Sequence, residues 1–148
     1  HALVGAQPLL KSPALKALCE NSDSIVHARI VYMGSKLKED GLTAYEVHVN
    51  VKKVLLGRDI TGAVIRLSFN AILPEDHTQR TLYTTALERR RVTQLLFLSE
   101  HLETEKNEEG EVIETISYEI IDGWFGAMPF SPELEAQIVL QLQELNKS

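Results

Sequence analysis

Residues 43–57, TAYEVHVNVKKVLLG, alternate apolar and polar side chains and end on a glycine. Successive side chains of a strand point to opposite faces. Tyr45, Val47, Val49 and Val51 therefore share one face, and Glu46, His48, Asn50 and Lys52 share the other. That period belongs to a half-buried strand, whose apolar face requires a core. Upstream, SIVHARIVY places Val26, Ala28, Ile30 and Tyr32 on one side, with Ile25, His27, Arg29 and Val31 on the other. The turn-rich GSKLKEDG lies between the two runs, so residues 24–33 and 42–54 predict an antiparallel hairpin. Downstream, AVIRLSF predicts a third strand with Ala63, Ile65, Leu67 and Phe69 inward.

The pattern breaks over residues 71–92, where Pro74-Glu75-Asp76 is turn chemistry and TLYTTALERRR fits a short helix. Leu95–Leu98 is apolar on both faces, the mark of a strand covered on both sides. After the charged turn ETEKNEEGE, VIETISYEII supplies a fifth strand. Helices close both ends. Ser12 and Pro13 suit the start of one that ends at Asn21-Ser22-Asp23, with Leu15, Leu18 and Cys19 on a common face. Ser131 and Pro132 suit the start of the other, whose Leu134, Ile138, Leu142 and Leu145 recur at helical spacing. Its apolar stripe is expected to pack on the barrel, and a homodimer through the same stripe is the alternative. Five strands with an irregular insert after the third is the order of an OB-type barrel; a two-sheet sandwich is the alternative. The expectation is one mainly β domain over residues 1–148. It comprises an N-terminal extension and short helix (1–22), a five-stranded OB-like barrel (24–122) and an amphipathic C-terminal helix (131–146).

A chain of 148 residues suits one domain, and at this size about 68–70% of the unfolded surface is buried on folding. The net charge of −6 argues against a general binder of nucleic acid or anionic membrane, since phosphate contacts need a basic surface. No run of apolar residues is long enough to span a membrane as a helix. The single cysteine, Cys19, excludes an intramolecular disulfide and a cysteine-based zinc cluster. The chain starts at His1, which a tag remnant or a processed precursor explains; the expectation is a periplasmic or secreted protein whose signal peptide has been removed. Asn146-Lys147-Ser148 matches a glycosylation sequon and is read as chance.

LCENSDSIVHARIVYMG followed by YEVHVNVKKVLLG resembles the start of netrin-like and tissue-inhibitor-of-metalloproteinases OB barrels. In that pattern a cysteine precedes the first strand, and the second strand ends in a Leu/Phe-x-Gly turn. The chain looks still more like small bacterial exported proteins with this hairpin, a later LLFL strand (Leu95–Leu98) and a glycine-aromatic segment, DGWFG. The resemblance implies the barrel and protein partners. It carries no inhibitory mechanism, because those inhibitors chelate zinc through an N-terminal cysteine and are stapled by disulfides, whereas this chain begins with His1 and Cys19 has no partner.

Pairing Tyr32 with Thr43 brings His27 opposite His48 on the outer face, and a register shift of two leaves them diagonal. Two such imidazoles read as solvated decoration. The alternative is a copper or zinc site with Glu46 as a third ligand, or one in which His1 contributes its α-amine and ring. His77 and His101 read as surface residues. No nucleophile elbow, phosphate-cradling loop, HExxH or cysteine–histidine signature is present, so no catalytic residue and no cofactor is expected. Nine acidic residues between Glu100 and Asp122 face Lys106 alone, while Arg89, Arg90 and Arg91, with Arg80 nearby, form the dense basic cluster. These runs read as solvated turns or as a two-signed surface that orients a protein partner. In GWFGAMPF, Trp124, Phe125, Met128 and Phe130 either plug the barrel end or present an anchor. The expected function is thus a non-enzymatic exported protein-interaction module using Arg89–Arg91, Trp124 and Phe125. A metal-binding module using His27, His48 and His1 is the alternative.

Overall fold

A computed structural model describes residues 13–39, 42–72, 93–121 and 127–147. Their elements are α1 (Pro13–Asn21), β1 (Ser24–Leu37), β2 (Leu42–Leu56), β3 (Val64–Ile72), β4 (Gln94–Lys106), β5 (Val112–Ile120), β6 (Ala127–Pro129) and α2 (Pro132–Glu144). β1, β2 and β3 form an antiparallel meander, and β4 and β5 a second hairpin. Two contacts close the barrel. β1 runs antiparallel to β4 over Ser24–Ala28, and β3 meets β5 in parallel at Leu67 and Tyr118. The resulting order, β1-β2-β3-β5-β4 returning to β1, is the expected OB-like barrel with a helix at each end of the chain.

Alternation placed the core residues well. Val26, Ala28, Ile30, Val47, Val49, Val51, Leu67, Leu96, Leu98, Tyr118 and Ile120 fill the interior. β4 is buried on both faces because Leu96 and Leu98 point inward while Leu95 and Phe97 point out into a second cluster. That cluster, between barrel wall and helices, joins Ile25 and Leu56 to Leu15, Leu18 and Cys19 of α1 and Leu134, Ile138 and Leu142 of α2. The α2 stripe thus packs on its own barrel. Ser131 caps this helix, its Oγ accepting from the Leu134 N–H at 3.1 Å, and Pro132 takes the first helical position.

Three expectations need correction. The hairpin is longer than its sequence suggested, because Gly34–Leu37 continue the ladder instead of turning; Thr43 therefore pairs with Leu37, and Tyr32 with His48. A β-bulge between Ile30 and Tyr32 leaves Val31 without a partner and flips the faces beyond it. Tyr32 consequently points outward, 47% exposed, and Met33 packs on the core in its place. Ala63 precedes β3 and is exposed, while Ile65 and Leu67 point inward as expected. A short strand escaped prediction: β6 pairs with Gln94–Leu96 of β4, on the edge that β5 occupies further along.

Gly57, at the end of the opening stretch, adopts φ +101°, and a Cβ there would lie 2.8 Å from the Asp23 carbonyl oxygen. Only glycine combines that backbone with that approach. It lets β2 finish beside the start of β1.

Candidate functional site

Arg89, Arg90, Arg91, Trp124, Phe125 and His1 lie outside the described residues, as do Arg80 and His77. Of the aromatic segment, Met128 and Phe130 are described, and both pack against the cluster beneath the helices.

His27 and His48 are not brought together. His27 opposes Lys53 and His48 opposes Tyr32, five residues further along β1, or roughly 15 Å at the rise of a strand. The longer ladder and its bulges cause the separation. His27 lies on the wall that faces α2. Its ring stacks on Phe130 at 4.0 Å and 10°, and its Nε2 is hydrogen-bonded to Thr93 Oγ1. Desolvation holds its pKa below the ordinary value, opposed by the Glu135 carboxylate and aided by Lys53 and Lys52. His48 stands on the outer face of the meander, where its Nε2 donates to Glu46 Oε2 at 3.0 Å and its ring tilts against Tyr32 at 4.7 Å. Among the described residues no group of three or more His, Cys, Asp or Glu side chains is gathered as a metal site would need.

Among the described residues, Cys19, Ser99, His101, Glu119, Tyr118 and Glu100 are tied into the framework. Cys19 is buried, and desolvation pushes its thiol up to about 11, against the smaller opposing effect of the Lys147 ammonium. It is therefore protonated at neutral pH and a poor nucleophile. Lys16, within a helical turn of Cys19, meets Glu20 at 3.8 Å. Ser99, His101 and Glu119 resemble a hydrolytic triad in composition only. His101 Nε2 lies 3.1 Å from Glu119 Oε2 and 3.3 Å from Ser99 Oγ. A relay needs the carboxylate and the serine on opposite ring nitrogens; here a nitrogen that donates to Glu119 cannot also accept the serine proton. At one barrel end the Tyr118 hydroxyl donates to Glu100 Oε1 at 3.2 Å, and Arg58 Nε lies 3.5 Å from Glu100 Oε2. Burial and the Glu100 carboxylate raise the Tyr118 pKa. This network ties β5 to β4 and to the β2–β3 connection.

Two surfaces stand out from the framework. The first is the acidic run, which the fold turns into an arm. β4 and β5 pair as far as Lys106 and Val112, well past their contacts with β1 and β3. From Leu102 to Ile113 the side chains are exposed except that of Asn107, with Leu102 60%, Val112 62% and Ile113 46% exposed. Asn107 organises the tip, its Oδ1 accepting from the N–H groups of Glu109 and Glu111 at 3.0 and 2.9 Å. Glu103, Glu105, Glu108, Glu109, Glu111 and Glu114 against Lys106 give the arm five of the chain's six net negative charges.

The second is the outer face of the meander. Register aligns Tyr32, His48 and Arg66 in one cross-strand row and Arg29, Asn50 and Val64 in the next. Gly34 lies under the Tyr32 ring, so close that a Cβ there would meet Tyr32 Oη at 2.5 Å. Arg66 reaches Glu46 Oε1 at 3.7 Å with its side chain 69% exposed. Asn50 has a structural part, its Nδ2 donating to the Gly62 carbonyl at 3.2 Å across the β2–β3 turn.

No family model matches the chain, and neither the curated proteins nor the solved structures yield a significant match. Among the described residues no helix is long and apolar enough to cross a membrane.

Proposed function

We propose that this chain is a non-enzymatic, exported protein-interaction module carried on an OB-like barrel. The observation that carries the reading is the β4–β5 arm. It exposes Leu102, Val112 and Ile113 on a paired ribbon, whereas folding alone would favour burying large aliphatic side chains. Over the same span no strand among the described residues pairs with either outer edge, the arrangement to which an extended segment adds by backbone hydrogen bonding. Exposed aliphatic side chains interspersed with carboxylates suit a reversible protein contact. The basic Arg89–Arg91 run and Trp124–Phe125 belong to the same proposal as sequence features. The taste for protein partners rests on the netrin-like resemblance and export on the likeness to small bacterial exported proteins, and fractionation of the source cells tests the location.

The arm is tested by replacing Leu102 and Val112, which share one face of the ribbon, with aspartate. Exposed positions tolerate such changes within about 0.5 kcal/mol each, so the melting temperature of the double variant is expected to move by no more than about 4 °C. Proteins captured by the wild type and identified by mass spectrometry are expected to be lost with the double variant. Capture of the same set by both proteins would remove the arm from the interaction. Trp124→Ala is expected to weaken capture likewise at an unchanged melting temperature.

A further inference from the structure

Along β4 the backbone groups alternate in direction. The Asn107 N–H donates to the Glu111 carbonyl at 3.0 Å and the Ile121 N–H to the Phe97 carbonyl at 2.9 Å, so odd-numbered positions of β4 turn their N–H and C=O groups toward β5. Even-numbered positions turn theirs to the outer edge. There the Leu98 carbonyl accepts from the Asp23 N–H at 2.9 Å, and the Glu100 N–H donates to Asp23 Oδ2 at 2.9 Å. Past Asp23, no strand among the described residues pairs with the outward groups of Leu102 and Thr104. Neither bulge nor proline interrupts this edge: the ladder from Leu98 to Lys106 has no register shift, and residues 98–106 contain no proline or glycine. The same parity sorts the side chains. Leu102, Thr104 and Lys106 share one face with Val112, Glu114 and Ile116, while Glu103 and Glu105 share the other with Ile113 and Thr115. On that second face the carboxylates thus belong to β4, not to β5, and both are exposed.

We infer that the outer edge of β4 receives an extended basic segment of a partner protein, in which Lys or Arg alternates with aliphatic residues. Resting on the interaction-module reading, this names the chemistry of the partner. The segment adds as a strand on the outward groups of Leu102 and Thr104. Its basic side chains lie beside Glu103 and Glu105, and its aliphatic ones lie beside Leu102 and Thr104. Charge selects the occupant, because opposite charges on neighbouring strands stabilise the pairing and like charges oppose it. The same rule disfavours a second copy. Two β4 edges paired antiparallel about a two-fold axis at Thr104 would set Glu103 of each against Glu105 of the other. The outer edge of β5 offers Ile113 and Thr115 on that face, with no carboxylate to select a basic segment.

The test is fluorescence anisotropy of a labelled, end-blocked peptide that alternates lysine with valine over about eight residues, the length of an ordinary strand. It is expected to bind the purified chain. The same residues arranged as a lysine block followed by a valine block are expected to bind about tenfold more weakly, and a glutamate–valine peptide not at all. Thr104→Pro removes an outward N–H and no bond of the β4–β5 ladder. It should abolish binding at wild-type circular dichroism, while Thr104→Val keeps it. Glu103→Lys with Glu105→Lys should transfer the preference to the glutamate–valine peptide. Failure of the alternating peptide to bind overturns the inference, as does equal binding of the two arrangements. Binding that survives the charge reversal, or a folded Thr104→Pro protein, also overturns it. Should Thr104→Pro lose the wild-type circular dichroism, the order of the peptide residues and the charge reversal decide. If no peptide binds while aspartate at Leu102 and Val112 abolishes capture of another protein, this inference fails and the interaction-module reading stands. If neither measurement depends on the arm, both fail.

Discussion

Lys147 ties the turn after α2 to the end of α1. Its Nζ donates to the carbonyls of Cys19, Glu20 and Ser22 at 2.9, 3.0 and 3.0 Å, the acceptors left open where α1 ends. Asn146 delivers it. With φ +56° it takes the left-handed position after α2, and the Lys147 N–H returns to the Leu142 carbonyl at 2.9 Å. Lys147→Met is expected to destabilise the fold by about 2 kcal/mol, the scale of hydrogen bonds to a charged donor, read from urea unfolding. Lys147→Arg should recover less than half of this, because a planar guanidinium cannot point three donors at three converging carbonyls. His27 offers a second test at this scale. Burial lowers its pKa from the ordinary 6.5, so the folded state holds it neutral and the unfolded chain binds the proton first. Its contribution is complete above pH 6.5 and is lost as pH falls from 6.5 through the lower folded value. His27→Phe keeps a ring to stack on Phe130 and removes the titration. The urea midpoint of the variant should therefore fall less between pH 7.5 and 5.5 than that of the wild type; equal falls would assign the acid response to other groups. Neither contact was legible in sequence. The Lys147 and His27 partners come from distant segments, and Asn146-Lys147-Ser148 read there as an idle sequon.

At the scale of elements, alternation reported faces faithfully and register poorly. Val47, Val49 and Val51 were placed inward and are buried, because period-two patterning follows directly from strand geometry. Pairing depends instead on where the turn falls and on bulges, and a bulge such as that at Val31 leaves no compositional mark. The histidine pair inferred from an assumed turn dissolved for this reason, while the row of Tyr32, His48 and Arg66 emerged only from the observed register. The glycine at the end of the opening stretch was legible as punctuation, and the structure gives its cause. Gly57 and Gly62 both have positive φ, but only Gly57 has backbone within reach of a Cβ. Alanine at Gly62 should cost about 1 kcal/mol for the backbone conformation alone. Alanine at Gly57 should cost about 1–2 kcal/mol more, since the Asp23 carbonyl must also yield. Equal losses at the two sites, measured by urea unfolding, would show that β2 can move away from Asp23 without penalty.

At the scale of the whole molecule, stability and charge occupy different places. The barrel interior and the layer beneath the helices hold the buried side chains, while the distal β4–β5 arm holds none from Leu102 to Ile113. The order of strands was legible because the five apolar runs are distinct, and so was the acidic run; that the run is a projecting ribbon was not, since VIETISYEII reads the same in a barrel wall. Removing residues 103–115 and joining the opposed pair Leu102 and Ile116 through Asn-Gly, which favours a tight hairpin turn, should leave the barrel closed. The net charge would fall from −6 to −1. The melting temperature is expected to stay within about 3 °C of the wild type, because the excised side chains contribute little burial. Solubility should fall, since charge keeps copies apart. A drop of more than about 10 °C would mean that the ribbon supports the barrel, and its exposed Leu102 and Val112 would then need a structural explanation. An unchanged melting temperature would leave their exposure to be explained by something that binds them.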